Sequence, residues 1–182
     1  MPKRSCSPGT EVIGQAMLSY IHNIHGDLIM PLLEKYKLKD IKPDHWYPLQ
    51  PWLDLIWDEL APRPDFETTM IAVGLKVVEY ALTPPEMKNV TLGQMLEGWN
   101  HHFHANHRNG EIGQIVTEKI NDQTYKTIHR HIYPDGLNYG LAYGFARQML
   151  PKTVSFKVEY EDYNYRLDRG GADKTVIIVS WE

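Results

Sequence analysis

Four of the nine histidines in this 182-residue chain fall within seven positions, at His101, His102, His104 and His107. His129 and His131 follow a short distance later in the sequence. Imidazole is the commonest metal ligand in proteins, and its unperturbed pKa lies close to neutral pH. The stretch from residue 97 to residue 108 is therefore the first candidate for a binding site.

The spacing of these histidines is compatible with a metal site. His101 and His104 are three residues apart, as are His104 and His107, so either pair would occupy adjacent turns of a helix and could reach one ion. A stable transition-metal site needs three or four ligands, so a second element would have to contribute. His129 and His131, which share one face of a predicted strand, are the natural partners. A metalloprotein, possibly an enzyme, would bind a divalent ion through His101, His104 or His107 together with His129 or His131.

The helical phase divides the four clustered histidines between two sides of the predicted helix. The apolar positions of this helix are Leu92, Met95, Leu96, Trp99 and Phe103. His102 and His107 border that stripe, whereas His101 and His104 turn toward the opposite side. The four therefore cannot all serve a single ion.

The same region would also suit an organic ligand. Tyr125 shares the strand face of His129 and His131, and Arg130 offers a cation to an anionic group. An apolar pocket between a helix and a sheet is a common place for a small molecule. The candidate ligand-binding residues are His104, Trp99, His102, Phe103, His107, Tyr125, His129, His131 and Arg130.

The composition of the chain excludes several classes of protein. A net charge of −4 and a pI near 6.1 argue against a nucleic-acid-binding surface, which needs a basic face. No apolar run approaches 18 residues, so no membrane span is expected. The basic start lacks an apolar run and is no signal peptide, and Cys6 is the only cysteine, which excludes a disulfide within the chain and a cysteine-based zinc site. We expect a cytoplasmic protein.

None of the familiar catalytic motifs is present. The sequence lacks a nucleophile elbow, a Walker loop, a Rossmann glycine fingerprint and a His-Glu-x-x-His pair. We therefore assign no catalytic residue and favour a binding domain over an enzyme.

The hydrophobic periodicity changes near the middle of the chain. Helical spacing runs through residues 10–108, where helices are expected to end at Ala61–Pro64 and at Thr83-Pro84-Pro85. After Asn109-Gly110, β-branched and aromatic residues predict a hairpin over residues 113–132.

A helix and two strands complete the second half. The helix opens at Pro134 and carries a row of glycines, Gly136, Gly140 and Gly144, which would let it lie close against a sheet or another helix. The sequence thus predicts one α+β domain over residues 1–182: a disordered tail at 1–9, a helical part at 10–108, and an antiparallel β-β-α-β-β sheet unit at 111–182.

The C-terminal half resembles a known superfamily. Gly140-Leu-Ala-Tyr-Gly-Phe-Ala-Arg-Gln-Met-Leu150, a strand, a charged turn and a closing Val176-Ile-Ile-Val-Ser-Trp-Glu182 resemble the end of the H-NOX haem domains. They equally resemble the 4-vinyl-reductase-type (hydrocarbon-binding) domains and the transport-protein-particle subunits that share this fold. The wider pattern is similar to uncharacterised bacterial proteins of that superfamily, through Trp46-Tyr-Pro-Leu-Gln50, Asn106-His-Arg-Asn-Gly-Glu-Ile-Gly113 and Tyr133-Pro-Asp135. The clear similarity covers residues 91–182.

This resemblance implies a haem or other tetrapyrrole cofactor. Leu96-Glu-Gly-Trp-Asn-His-His-Phe-His104 resembles, with one extra residue, the H-NOX segment that carries the proximal haem ligand, which implies that role for His104. The Tyr-x-Ser-x-Arg motif that holds the haem propionates is absent, and the corresponding strand reads Thr127-Ile-His-Arg-His-Ile-Tyr133. The cysteine cluster of the zinc-binding relatives is absent as well.

Three functional hypotheses follow. The leading one is a small-molecule-binding or sensory domain that holds a hydrophobic or tetrapyrrole-like ligand between the His-rich helix and the sheet, and acts on a signalling partner. The second is the His-ligated metalloprotein. The third is a homodimeric assembly module, in which the glycine-row helix pairs two subunits.

Overall fold

Five helices make up most of the described residues in the first half of the chain. The computed structural model describes residues 4–81 and 89–182. The helices are α1 (Gly14–Ile21), α2 (Gly26–Lys35), α3 (Leu49–Asp54), α4 (Phe66–Ala81) and α5 (Leu92–Ala105). A π-helical segment, Leu55–Leu60, continues directly from α3, so the helical stretch before Ala61 does not keep one hydrogen-bonding pattern. The predicted stop of α4 at Thr83-Pro84-Pro85 lies outside the described residues.

A small antiparallel sheet ties the ends of these helices together. Its strands are β1 (Glu11–Ile13), β2 (Trp46–Pro48) and β3 (His107–Arg108), in the order β2-β1-β3. Val12, which the periodicity placed in the first helix, pairs with Tyr47 on one side and His107 on the other. Strands of two or three residues are too short to show an alternating pattern, so the sequence did not predict this sheet.

The second half forms the predicted β-β-α-β-β unit. Its elements are β4 (Gly113–Asn121), β5 (Thr124–His131), α6 (Asp135–Met149), β6 (Phe156–Tyr160) and β7 (Thr175–Trp181). Every neighbouring pair in the order β4-β5-β7-β6 is antiparallel. The α+β architecture with an antiparallel sheet is confirmed.

The buried face of the main sheet is covered by α5 and α6. Along β5 the burial alternates, so that Tyr125, Thr127, His129 and His131 all point inward. The predicted shared face of the two histidines and Tyr125 is confirmed. A second core cluster lies among α1 to α4 and the π-helical segment. Among the described residues, no helix is both long and apolar enough to cross a membrane.

The glycine row of α6 packs against α4 inside the chain. A side-chain carbon added at Gly140 would overlap the backbone carbonyl of Ile71, and one added at Gly144 would lie 2.9 Å from Cγ2 of Val78. Gly74 of α4 makes the reciprocal close approach, to the backbone of Leu137. The predicted close packing on another helix is therefore confirmed. The hypothesis that this row pairs two subunits is not supported, because α4 already covers it.

Residues 4–9, which we expected in a disordered tail, lie against the folded chain. The Arg4 guanidinium donates to the backbone oxygen of His131 over 2.6 Å and pairs with the Asp168 carboxylate over 2.7 Å. It also lies 4.8 Å from the ring centre of Trp57. Arg4 therefore joins the helical half to the end of β5.

Candidate functional site

The histidines of α5 do not line the interior. His101, His102 and His104 are all exposed, whereas the buried side of the helix carries Leu92, Met95, Leu96 and Trp99. The separation of His101 and His104 from the apolar stripe is as predicted, and His102, which we expected to border the stripe, is exposed as well.

Hydrogen bonds hold α5 directly on the main sheet. The Thr117 hydroxyl donates to the backbone oxygen of Leu96 over 2.7 Å, and the backbone N–H of Ile115 donates to the Asn100 side chain over 2.8 Å. Both bonds join α5 to β4. The helix is therefore in contact with the strand along two of its turns.

Aromatic rings fill the space beside these bonds. The Trp99 ring lies 5.0 Å from the His129 ring and 5.5 Å from the Phe145 ring, each nearly perpendicular to it. The Phe103 and His131 rings are 4.9 Å apart. Ring pairs at such distances are in van der Waals contact. We call the set Trp99, Phe103, His107, His129, His131 and Tyr133 the histidine–aromatic core.

One chain of hydrogen bonds fixes the tautomers of the two buried strand histidines. The backbone N–H of Tyr133 donates to Nδ1 of His131, so the proton of a neutral His131 ring resides on Nε2. That Nε2 lies 3.2 Å from Nδ1 of His129 and donates to it. Nε2 of His129 then donates to the Thr127 hydroxyl over 2.9 Å, and this hydroxyl donates to the Ile177 backbone oxygen over 3.4 Å. Every ring nitrogen of the pair has a partner.

His107 is fixed in the opposite tautomer at the end of α5. Its Nδ1 lies 2.8 Å from the backbone oxygen of Phe103, which can only accept, so Nδ1 carries the proton. Its Nε2 therefore accepts from the Tyr133 hydroxyl, 2.7 Å away. This bond links the start of β3 to the end of β5.

Burial keeps these three imidazoles neutral at pH 7. Desolvation lowers the pKa of His107 to about 4 and the pKa of His129 to about 3. It also moves the pKa of His131 well below its usual value, and the nearby His129, Arg4 and His107 lower it further. The core is thus an uncharged hydrogen-bonded network, which is the form in which burial costs least.

The five histidines of the metal hypothesis are not brought together. No group of three or more His, Cys, Asp or Glu side chains within residues 4–81 and 89–182 could hold a metal ion. His101 and His104 face solvent, while His129 and His131 are buried on the inner side of the sheet. The metal site as we predicted it is absent from this arrangement.

The remaining candidates are also divided. Tyr125 is buried and stacks on Trp181, with ring centres 5.7 Å apart and planes inclined by 7°. Arg130 points to the outer face of the sheet, where it is half-exposed and 4.0 Å from the Asp173 carboxylate. Arg130 therefore does not meet a ligand held between α5 and the sheet.

Sequence reasoning missed a buried polar network at the start of α6. The Asp135 carboxylate accepts from the Asp168 backbone N–H over 2.9 Å, and the Asp168 carboxylate accepts from the Asp135 backbone N–H over 2.7 Å. The Thr175 hydroxyl also donates to Asp135, over 2.6 Å. Burial raises the pKa of both carboxyls, while Arg4 and Arg166 oppose the rise. The reciprocal bonds join α6 to the turn before β7.

Sequence reasoning also missed a cleft of about 620 Å³ on the helical half. It lies between α1, α2 and the segment 38–41, and its apolar lining residues include Leu18, Ile21, Met30, Leu33, Leu38 and Ile41. The polar edge carries Asp40 and an ion pair in which Nζ of Lys39 is 2.5 Å from the Glu34 carboxylate. These lining residues come from three separate segments of the chain, so no local sequence pattern could predict the cleft.

The fold built from these elements is H-NOX-like. An H-NOX protein from S. oneidensis, described in its Fe(II) ligation state, matches with a TM-score of 0.65 and 14% identity, over 93% of this chain and 96% of that one. An Fe(II) unliganded H-NOX mutant from K. algicida matches with a TM-score of 0.65, 12% identity and the same two coverages. An oxygen-binding H-NOX domain related to soluble guanylate cyclases, in its oxygen complex, gives 0.65 and 10%, over 93% and 92%.

The similarity in structure is not accompanied by a match in sequence. No protein-family model and no curated protein matches this chain. At 10–14% identity the solved structures establish the fold, and they leave the ligand to be argued from the residues themselves.

The residues between α5 and the sheet do not fit a haem ligated by His104. His104 is exposed to solvent, and the residues through which α5 contacts the sheet are Leu96, Trp99 and Asn100. An axial ligand needs an imidazole lone pair pointing at the iron. That requirement is not met by α5 as it lies here.

Proposed function

We propose that the chain is a small-molecule-binding sensory domain that takes a hydrophobic ligand in the cleft between α1 and α2. The single observation that carries this proposal is the cleft itself, about 620 Å³ and lined largely by aliphatic side chains. Pockets for small organic ligands have volumes of roughly 300–1,000 Å³ and mostly apolar walls. The H-NOX-like fold is compatible with a ligand-binding role.

The exposure of the cleft wall supports an apolar occupant. Met30 is 61% exposed, although it lies beside Leu33 and Ile21 in the same wall. A ligand that covered this wall would remove apolar surface from water, which stabilises the complex by roughly 25 cal/mol per Å². The long, unbranched Met30 side chain can adapt to different ligand shapes.

The position of α1 supports a sensory role. Leu18 and Ile21 line the cleft, whereas Tyr20 of the same helix points into the protein. Its ring lies 5.5 Å from Trp52 and 6.3 Å from Tyr133, the residue that bonds His107. A ligand that displaced α1 would therefore change the packing at the junction of the two halves.

The experiment measures binding of a neutral apolar fluorophore, 1-N-phenylnaphthylamine, and its displacement by a panel of hydrophobic compounds. Met30→Asp places a charge on the cleft wall, and Ile120→Asp is the matched control, because Ile120 is 53% exposed on the distant strand β4. We expect saturable 1:1 binding that Met30→Asp weakens at least tenfold and Ile120→Asp leaves unchanged. Absence of saturable binding, or equal loss in both variants, would overturn the proposal.

A further inference from the structure

The contact between α5 and β4 leaves no layer for a planar cofactor. The helix and the strand are joined by the bonds from Thr117 to Leu96 and from Ile115 to Asn100. A macrocycle placed between them would need van der Waals contacts of about 3.5–4.0 Å on each of its two faces. Both hydrogen bonds would have to break and the helix would have to move away from the sheet.

The inward-facing imidazoles have no free lone pair for a metal. Nδ1 of His129 accepts from His131, and Nδ1 of His131 accepts from the Tyr133 backbone N–H. Nε2 of His107 accepts from the Tyr133 hydroxyl. Ligation by any of the three would break an existing buried hydrogen bond and leave its donor without a partner.

Side chains fill the space beside this network. The Trp99 ring is in edge contact with both His129 and Phe145, and Phe103 packs on His131. All these rings except Phe103 are buried, and Phe103 is half-buried. Protein interiors packed in this way resist insertion, because any added group must displace well-ordered neighbours.

We infer that this chain keeps the H-NOX-like fold without haem, because the histidine–aromatic core occupies with its own side chains the place between helix and sheet where a tetrapyrrole was expected. The core is structural and closed. This inference does not depend on the cleft proposal, because the cleft lies between α1 and α2 and the histidine–aromatic core lies between α5 and the main sheet.

The test is a titration of the full chain with hemin, followed by absorption, tryptophan fluorescence and thermal unfolding. Haem bound inside so small a domain would quench the buried tryptophans by energy transfer. The comparison variant is the triple substitution His101→Ala, His102→Ala and His104→Ala, whose positions are exposed. We expect no saturable 1:1 Soret band, no rise in Tm and no specific quenching, with the same result for the variant.

Two outcomes separate a surface association from a site. A weak absorbance that grows in proportion to hemin and is identical in the triple variant is non-saturable sticking, and agrees with the inference. A stoichiometric Soret band accompanied by a higher Tm and strong quenching would overturn it, whether or not the triple variant abolished the band. In that case the core must open, and the cleft proposal would still be tested separately by the fluorophore.

Discussion

Nε2 of His131 lies 3.2 Å from Nδ1 of His129, and both rings are buried on the inner face of β5. The Tyr133 backbone N–H donates to the other nitrogen of His131. This bond determines which atom donates in each of the hydrogen bonds from His131 to His129 and from His129 to Thr127. The sequence suggested His129 and His131 as metal or cofactor ligands, but in the structure all four of their ring nitrogens have hydrogen-bond partners within the protein. The principal effect of this pair is on the stability of the junction between α5 and the sheet.

Removal of one member of this pair should destabilise the fold strongly. His129→Leu keeps the volume but leaves the buried Nε2–H of His131 without an acceptor, so we expect a loss of about 2–4 kcal/mol. Urea unfolding measures it, with His101→Ala as the exposed control, expected within about 0.5 kcal/mol of the parent.

The double variant His129→Leu/His131→Leu tests whether the two rings are coupled. This variant lacks both the donor, Nε2–H of His131, and the acceptor, Nδ1 of His129. Its loss of unfolding free energy should therefore be smaller than the sum of the losses in the two single variants by at least about 0.5 kcal/mol. Strict additivity would mean that the 3.2 Å contact contributes nothing to folding.

The buried histidines should make the protein sensitive to acid. His107 and His129 have folded-state pKa values of about 4 and about 3, below the unfolded value near 6.5. Between these limits the unfolded chain binds more protons, so the free energy of unfolding falls as pH falls, by about 1.4 kcal/mol per pH unit for each histidine. The raised pKa values of Asp135 and Asp168 act with the opposite sign, since they favour the folded state as pH falls.

Urea unfolding between pH 7.5 and pH 4.5 measures this dependence. His107→Gln keeps an acceptor for the Tyr133 hydroxyl and a donor for the Phe103 backbone oxygen. It should therefore remove the contribution of one histidine to the slope of the unfolding free energy against pH below pH 6.5. His102→Gln, at an exposed position, is the control for the substitution itself. A slope that is the same in His107→Gln as in the parent protein would contradict the neutral, buried state of His107, because the opposing contribution of Asp135 and Asp168 is present in both proteins.

The glycine row predicts a clear difference between two glycine-to-alanine changes. Gly140→Ala would drive a methyl group into the Ile71 carbonyl and should cost about 2 kcal/mol or more, because rigid backbone must shift. Gly98→Ala in α5 meets only the His102 ring at 3.8 Å and should stabilise the protein by about 0.4–1 kcal/mol through helix propensity. Thermal unfolding of the two variants checks the sign of each effect.

Two buried tyrosines should respond differently to loss of the hydroxyl. In the described part of the chain the Tyr20 hydroxyl has no hydrogen-bond partner, so Tyr20→Phe should be neutral or stabilise by up to about 1 kcal/mol. Tyr133→Phe removes the 2.7 Å bond to His107 and should cost about 1–3 kcal/mol. A clear loss in Tyr20→Phe would reveal an unseen partner of that hydroxyl.

Periodicity predicted the parts of the fold that depend on local pattern. The alternation along β5 and the glycine row of α6 each occupy one element, and the structure has both. The three-stranded sheet depends on pairing among Val12, Tyr47 and His107, which are far apart in sequence. No single-element pattern could predict it.

The candidate site was predicted less well, because the presence of a histidine in the sequence does not show whether its side chain is buried or exposed. His104 and His129 differ completely in exposure, and what separates them is the packing of α5 on the sheet. Helical phase correctly turned His104 away from the apolar stripe. Only the hydrogen-bond partners of His129 and His131 show that their nitrogens are already in use.

The closed histidine–aromatic core is tested most directly by ¹⁵N–¹H correlation NMR of the imidazole side chains at pH 7. We predict that His129 and His131 are neutral with the proton on Nε2, and that His107 is neutral with the proton on Nδ1. His101, His102 and His104 serve as exposed references in the same spectrum. A charged ring or a proton on Nδ1 at His129 or His131 would contradict the account.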